Sequence, residues 1–220
     1  MSGYILCDTT TRDYLLPFTY TRPIADCRTG ILTIRQKWEY WLKKATSTLT
    51  VDHLSERFPL KILDDNFWIN GALIPDPGIL EAMGKLKPGE QLTAGSTWLL
   101  TRCGDLESFR HSSGLRRIDY PEAFTLVKYP WDLSGRNNRL IRDDFMLMTG
   151  GRASADAGPG NTIITPENVF IEPGASVSCA TINATEGPVY IGKEATIMEG
   201  ALIRGPFALL DGATVKMGAR

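Results

Sequence analysis

The chain has 220 residues, of which 43% are hydrophobic and 22% charged, with a formal net charge of −1. That balance describes an ordinary globular protein with room for one large domain or two small ones. It argues against non-specific binding to nucleic acid or to an anionic membrane surface.

No apolar run approaches the roughly 20 residues of a membrane span. The opening residues, Met1 to Leu6, lack the basic and long apolar regions of a secretory leader. Cys7, Cys27, Cys103 and Cys179 show no metal-ligand spacing and are too few for a disulfide framework. Cytoplasmic residence with free thiols is the expectation.

Tyr4-Ile5-Leu6-Cys7 predicts a first buried strand. The segment from Asp8 to Thr29 follows, holding Arg12, Arg22, Arg28 and six threonines, with Pro17 and Pro23 arguing against helix there. Guanidinium binds phosphate bidentately, and open α/β sheets place ligands at strand carboxyl ends, so the loop suits a phosphate-bearing ligand. A surface loop with solvated arginines accounts for the same residues equally well.

The clearest helix runs from Thr33 to Lys44, with Thr33 and Gln36 spaced as a capping box and Trp38 and Trp41 read as core anchors. A strand over Ser47 to Thr50 and a helical turn over Asp52 to Arg57 come next. Asp64-Asp65 lies between apolar pieces, and two adjacent carboxylates there suit either a Mg²⁺ beside a phosphate or a solvated turn.

Asp76 and Pro77 start a helix that ends near Lys85. Lys87 to Glu90 reads as a turn, Trp98-Leu99-Leu100 as a strand, and the polar stretch beyond it shows no clear pattern. Phe124 to Val127 is another strand. A last helix opens at Trp131 and stops at Gly150-Gly151. Strands alternating with helices predict an α/β layer domain over 1–151, followed by an Ala/Gly/Pro-rich linker over 152–160. His53 and His111 have no Cys or acidic pattern around them and are expected at the surface.

From Ile191 onward an aliphatic residue recurs every sixth position: Ile191, Ile197, Ile203, Leu209, Val215. Neither 3.6 nor 2 is the period, so helix and ordinary strand are both excluded. A six-residue period predicts a parallel β-helix with three sides, one inward aliphatic per side, and small residues or glycine at each corner. Ile171 and Val177 carry the same spacing two residues out of phase, and a loop at Thr185-Glu186-Gly187-Pro188 absorbs the difference. The coil is expected over 161–220. Its ladder stops partway round a turn, which leaves unpaired edges unless they are covered and suggests a shortened chain.

A small α/β domain followed by a hexapeptide coil resembles the sugar-phosphate nucleotidyltransferases that carry a C-terminal left-handed β-helix. These include bifunctional uridylyltransferase–acetyltransferases and some thymidylyltransferases. Thr11-Arg12, Leu16-Pro17-Phe18-Thr19 and Thr21-Arg22-Pro23 are similar to the family's signature after its first strand. Together with Gly30 to Trp38, they look like a bacterial branch of that group.

The resemblance implies transfer of a nucleotidyl group from an NTP to a sugar 1-phosphate, releasing pyrophosphate, in sugar-nucleotide or cell-envelope precursor synthesis. It implies catalytic Arg12 and Arg22 on the triphosphate and phosphate contacts from Asp8, Thr9, Thr11 and Arg28. By likeness of Leu63-Asp64-Asp65-Asn66-Phe67 to a Leu-Gly-Asp-Asn-Ile motif, it also implies a Mg²⁺ ligand in Asp65. Homotrimers through the coil, and neither nucleic acid nor membrane as partner, belong to the same expectation.

The chain departs from the family where Cys7-Asp8-Thr9-Thr10 replaces the Ala-Gly-x-Gly cradle, and where Gly30-Ile31-Leu32 replaces Gly-Lys-Pro. Two alternatives follow: a catalytically inactive binding or oligomerisation protein of the same architecture, or a fragment of a longer hexapeptide acyltransferase. Acyl transfer in relatives uses a histidine of the coil, and no histidine follows His111.

Overall fold

The structure is a computed structural model that describes residues 2–111 and 114–220. It divides into two compact units, Met1–Arg28 with Leu32–Leu133, and Thr29–Ile31 with Ser134–Arg220.

The first unit contains β1 (Ser2–Cys7), α1 (Thr11–Tyr14), α2 (Ile34–Leu42), β2 (Ser47–Leu49), α3 (Asp52–Ser55), β3 (Asp65–Asn70) and β4 (Leu73–Ile74). It continues with α4 (Pro77–Lys85), β5 (Glu90–Ala94), β6 (Thr97–Cys103), α5 (Leu106–Arg110), β7 (Arg116–Asp119) and β8 (Thr125–Leu126). Six strands form one sheet in the order β2-β1-β3-β6-β5-β7, with β6 the antiparallel member. Ile5 and Leu6 point to opposite faces and both are 0% exposed, so β1 is covered on both sides, as parallel strands are.

α2 begins on a complete capping box. Thr33 Oγ1 accepts from Gln36 N, and Gln36 Oε1 accepts from Thr33 N. Trp38 is fully buried, with its indole N–H on Leu73 O, whereas Trp41 is 39% exposed and anchors nothing. Asp76 caps α4 through Ile79 N, with Pro77 at its first position.

Two strands fall where the residues show no period. β5 lies in the segment entered by the Lys87–Glu90 turn, and β7 has the sequence Arg-Arg-Ile-Asp. β7 forms because the edge of β5 needs backbone partners, and its charged, exposed residues suit the outermost strand. The segment after β1 also differs from expectation. It folds into α1 and a short 3₁₀ turn over Ile24–Asp26, with each proline outside the helical residues.

The single helix expected from Trp131 is instead two, α6 (Pro130–Gly135) and α7 (Asn137–Thr149). α7 belongs to the second unit. There Leu140, Ile141 and Phe145 are buried, and the last two pack with Ile31, Phe170 and Tyr190. The three-residue strap 29–31 is tied to the same helix: Gly30 N donates to Asn137 Oδ1 (2.7 Å) and Ile31 N to Asp144 Oδ2 (2.8 Å). Gly30 has φ +85°, and a Cβ there would lie 2.5 Å from the Asp144 carboxylate, so only glycine fits.

Nine short strands complete this unit: β9 (Thr162–Ile164), β10 (Val169–Ile171), β11 (Ser176–Val177), β12 (Thr181–Asn183), β13 (Val189–Ile191), β14 (Thr196–Ile197), β15 (Leu202–Arg204), β16 (Phe207–Leu209) and β17 (Thr214–Val215). Successive strands go in rotation to three parallel three-stranded sheets, β9-β12-β15, β10-β13-β16 and β11-β14-β17, an arrangement consistent with a β-helix.

The aliphatic ladder lands one residue per strand, and Ile191, Ile197, Ile203 and Leu209 are at most 8% exposed in a shared core. Corners repeat a residue at positive φ followed by alanine: Gly174-Ala175, Cys179-Ala180, Glu194-Ala195, Gly200-Ala201, Gly212-Ala213. The phase change arises between Ile182 and Ile191, which face Ile203 and Leu209 in the next layer. The extra residues form the loop after β12, whose Glu186 carbonyl accepts from Arg142.

The outward side of β10-β13-β16 presents Phe170, Tyr190 and Ala208 to α7. Glu172 lies beside them, only 2% exposed. Arg152 donates to both of its oxygens (2.9 and 2.6 Å), and the Tyr190 hydroxyl donates to one (3.0 Å). The Arg152 hydrogen bonds hold the Glu172 carboxyl below the usual glutamate range, against the upward pull of burial.

Among the described residues no helix is long and apolar enough to cross a membrane.

Two outcomes are expected. Ile191→Ala should cost about 2–5 kcal/mol in urea unfolding, while Leu202→Ala, at an exposed position on the same coil, should stay within about 0.5 kcal/mol. Because Glu172 is depressed in the folded state, its contribution is complete above the unfolded pKa of about 4.3 and is lost as pH falls through the lower folded value. Glu172→Gln should therefore lower the urea midpoint at neutral pH and flatten its decline below about pH 4.3 relative to the unaltered chain.

Candidate active site

The carboxyl end of β1 carries the loop singled out by the sequence, and its chemistry begins with Asp8. This side chain is 6% exposed. Its Oδ1 accepts from Ile24 N (2.8 Å), and its Oδ2 accepts from Thr50 Oγ1 (2.6 Å) and Arg12 Nη1 (3.1 Å). Arg12, 9% exposed, also donates to the carbonyls of Arg22 and Thr19, while Thr19 Oγ1 returns a hydrogen bond to Arg12 O (2.8 Å). A buried carboxylate and guanidinium thus tie α1, the Thr19–Arg22 turn and the 3₁₀ segment to the end of β1.

In this arrangement the Arg12 guanidinium is turned into the loop, and both oxygens of Asp8 accept hydrogen bonds from within it.

The other residues expected in the site are distributed as follows. Arg22 is exposed, with only its carbonyl used by Arg12. Thr9 and Thr11 are half-buried, and Thr9 Oγ1 accepts from Thr11 N (3.3 Å). Arg28 is exposed at an isolated backbone bridge to Thr33. Asp26, in the same loop, is held bidentately by Arg35 (3.0 and 2.8 Å).

Asp65 lies elsewhere. It is the first residue of β3 and pairs in register with Ser2, at the amino end of β1, opposite the Asp8 loop. Arg102 donates to both carboxylate oxygens (3.0 and 2.9 Å), and Ser2 Oγ adds a third hydrogen bond (2.7 Å). The Arg102 hydrogen bonds hold its carboxyl below the ordinary aspartate range. Asp65 is therefore paired with Arg102 at the end of the sheet opposite the Asp8 loop.

Nor do other groups supply a cage: among the described residues no three His, Cys, Asp or Glu side chains cluster as metal ligands. Thiol chemistry fares no better. Burial pushes Cys7 well above its ordinary value and Cys27 and Cys103 to about 11, so all three are protonated at neutral pH.

Two features of this end of the sheet were not anticipated. Asn70, at the end of β3, accepts from Ala72 N (3.1 Å) and donates to Trp98 O (2.9 Å), while Gly71 N donates to Cys7 O (2.8 Å). The ends of β1, β3 and β6 are joined through it. In addition, Tyr14 on α1 meets Tyr129 (5.8 Å, tilted), and Tyr129 stacks on Trp131 (4.8 Å), with Tyr14 56% and Trp131 66% exposed. Five of the exposed large hydrophobics (Tyr14, Leu16, Phe18, Tyr20 and Trp131) belong to this loop and row. The only sequence signal was the density of aromatics around Leu15 to Tyr20, which reads just as well as core.

A family model described as sugar nucleotidyl transferase matches residues 4–153. The chain belongs to that family. The match covers the Asp8 loop and all of the six-stranded sheet except the first two residues of β1. No curated protein matches the chain.

Arg12→Met should leave Asp8 buried without its cation and cost about 3 kcal/mol in urea unfolding. Arg22→Ala, an exposed change, should stay within about 0.5 kcal/mol.

Proposed function

We propose that the protein transfers a nucleotidyl group from an NTP to a sugar 1-phosphate in the synthesis of a sugar nucleotide. A phosphate oxygen of the sugar attacks the α-phosphorus of the NTP. The bond from that phosphorus to the bridging oxygen breaks, and pyrophosphate leaves with the electron pair.

The observation that carries this reading is the family match across the sheet that presents the Asp8 loop. In it, Arg22 is the cation that contacts the triphosphate, with Thr9 and Thr11 as hydroxyl donors and Arg28 at the loop's far end. Asp8 and Arg12 are positioning residues that hold the loop in shape without touching phosphate. The exposed row Tyr14–Tyr129–Trp131 offers the nucleobase a stacking surface. Magnesium enters as the counter-ion of the triphosphate. The coil is taken to be left-handed and to associate into cytoplasmic homotrimers.

One observation favours a second reading, binding without turnover: no glycine cradle follows β1, and the residues in its place are consumed by the Asp8–Arg12 pair. The two readings part in a single experiment. With UTP or dTTP, Mg²⁺ and glucose 1-phosphate, pyrophosphate release is expected, and Arg22→Ala should reduce it at least roughly tenfold while leaving the thermal midpoint unchanged. Nucleotide-induced thermal stabilisation with no pyrophosphate release would select the binding protein. Neither signal would remove both.

A further inference from the structure

The stretch that joins β2 to α3 touches the Asp8 loop twice. Thr50 Oγ1 donates to Asp8 Oδ2 (2.6 Å), and His53 Nε2 meets the Tyr20 carbonyl oxygen (3.2 Å). A carbonyl can only accept, so in this contact the imidazole carries a proton on Nε2. The two residues lie 33 positions apart in the chain, and nothing in the residues around His53 announces the pairing.

The second contact completes a set. Arg12 donates to the carbonyls of Thr19 and Arg22, so with His53 the carbonyls of Thr19, Tyr20 and Arg22 all accept from side chains outside the turn. On either side, Tyr20 N donates to Pro17 O (3.1 Å) and Ile24 N to Asp8 Oδ1 (2.8 Å). The peptide groups of the turn are held, while the side chains of Tyr20 and Arg22 are exposed.

The two anchors differ in kind. Arg12 is buried against Asp8, and its loss opens the ion pair on which the whole loop closes. His53 is exposed on a four-residue helix, and its hydrogen bond to Tyr20 lies near solvent. Such a bond adds little to global stability, because water replaces it when it breaks. Its effect is local: it lowers the fraction of molecules in which the turn is released from α3.

We infer that His53 is a positioning residue for Arg22. By holding the Tyr20 carbonyl, it keeps the turn in the shape that displays the Arg22 guanidinium two residues further on. It touches neither the ligand nor the reacting atoms. The nucleoside triphosphate as ligand rests on the transferase reading above; the restraint on the turn does not. A ligand that needs the held turn loses affinity in proportion to the fraction of molecules that have it. Loss of His53 therefore raises the nucleotide concentration required. The rate once nucleotide is bound stays the same, because a bound triphosphate selects the held turn.

Kinetics of the full chain with UTP or dTTP, Mg²⁺ and glucose 1-phosphate test this. His53→Ala should raise KM for the NTP about fivefold, with kcat within about twofold and the thermal midpoint unchanged. His53→Gln, whose amide N–H donates from about the place of Nε2, should recover most of the loss. In an Arg22→Ala background, His53→Ala should change KM no further, because the residue it positions is gone.

A second readout needs no turnover. Chymotrypsin cleaves after exposed aromatic residues, and the bond following Tyr20 lies within the held turn. Cleavage there, located by mass, should be about fivefold faster in His53→Ala and return toward the unaltered rate in His53→Gln.

Pyrophosphate release with an unchanged KM in His53→Ala overturns the inference and leaves the transferase. So does the same rise in KM with and without Arg22. A chain that releases no pyrophosphate removes the transferase reading by itself, and the cleavage rates then decide. Equal cleavage at Tyr20 in His53→Ala and the unaltered chain overturns the inference as well. Faster cleavage, reversed by glutamine, upholds the restraint without the transferase.

Discussion

A carboxylate taken out of water must have its oxygens matched by donors and its charge by a cation, or it destabilises the fold that buries it. At the carboxyl end of β1 that requirement organises everything nearby. Asp8 gathers a backbone amide, a hydroxyl and the Arg12 guanidinium, and Arg12 in turn gathers the carbonyls of Thr19 and Arg22. The segment after β1, regular only in α1 and one 3₁₀ turn, is thereby closed on a single ion pair. The outward side of that closure is where Arg22 and the exposed aromatics are left for a ligand.

The same device recurs at three other acids of the chain. Asp26 is matched by Arg35, Asp65 by Arg102 and Glu172 by Arg152. Each guanidinium meets both oxygens of its carboxylate in the planar geometry that lysine cannot reproduce. With Arg12, which meets only one oxygen of Asp8, four arginines serve the fold as carboxylate partners. The arginines after the first strand are in this molecule partly architectural: Arg12 is buried in an ion pair, whereas Arg22 is exposed.

Membership in the sugar nucleotidyl transferase family rests on the match over residues 4–153, which fold around the six-stranded sheet. At one end of the sheet Asn70 and Gly71 join β3 to the start of β6 and to the end of β1. In the second unit, the strap 29–31 and the outward ring pair Phe170–Tyr190 give α7 a specific seat on the coil.

Much of this was legible in the residues alone. The six-residue ladder from Ile191 to Val215 determined a core with one aliphatic per strand, because no other regular structure repeats at that interval. Thr33 with Gln36, and Asp76 with Pro77, determined where two helices begin, because capping is a contact between residues three apart.

Only the tertiary structure decided the roles of Arg12, Asp8 and Asp65. Their partners (Thr19, Thr50 and Arg102) lie from seven to more than forty residues away, and a charge acquires its meaning from what is folded against it. β7 shows the same limit: nothing in Arg-Arg-Ile-Asp asks to be a strand, and it became one because β5 offered unpaired backbone groups on its open side. Local contacts and strict periods are written in order along the chain. The pairing of buried charges and of sheet edges is settled by the three-dimensional neighbours that folding supplies.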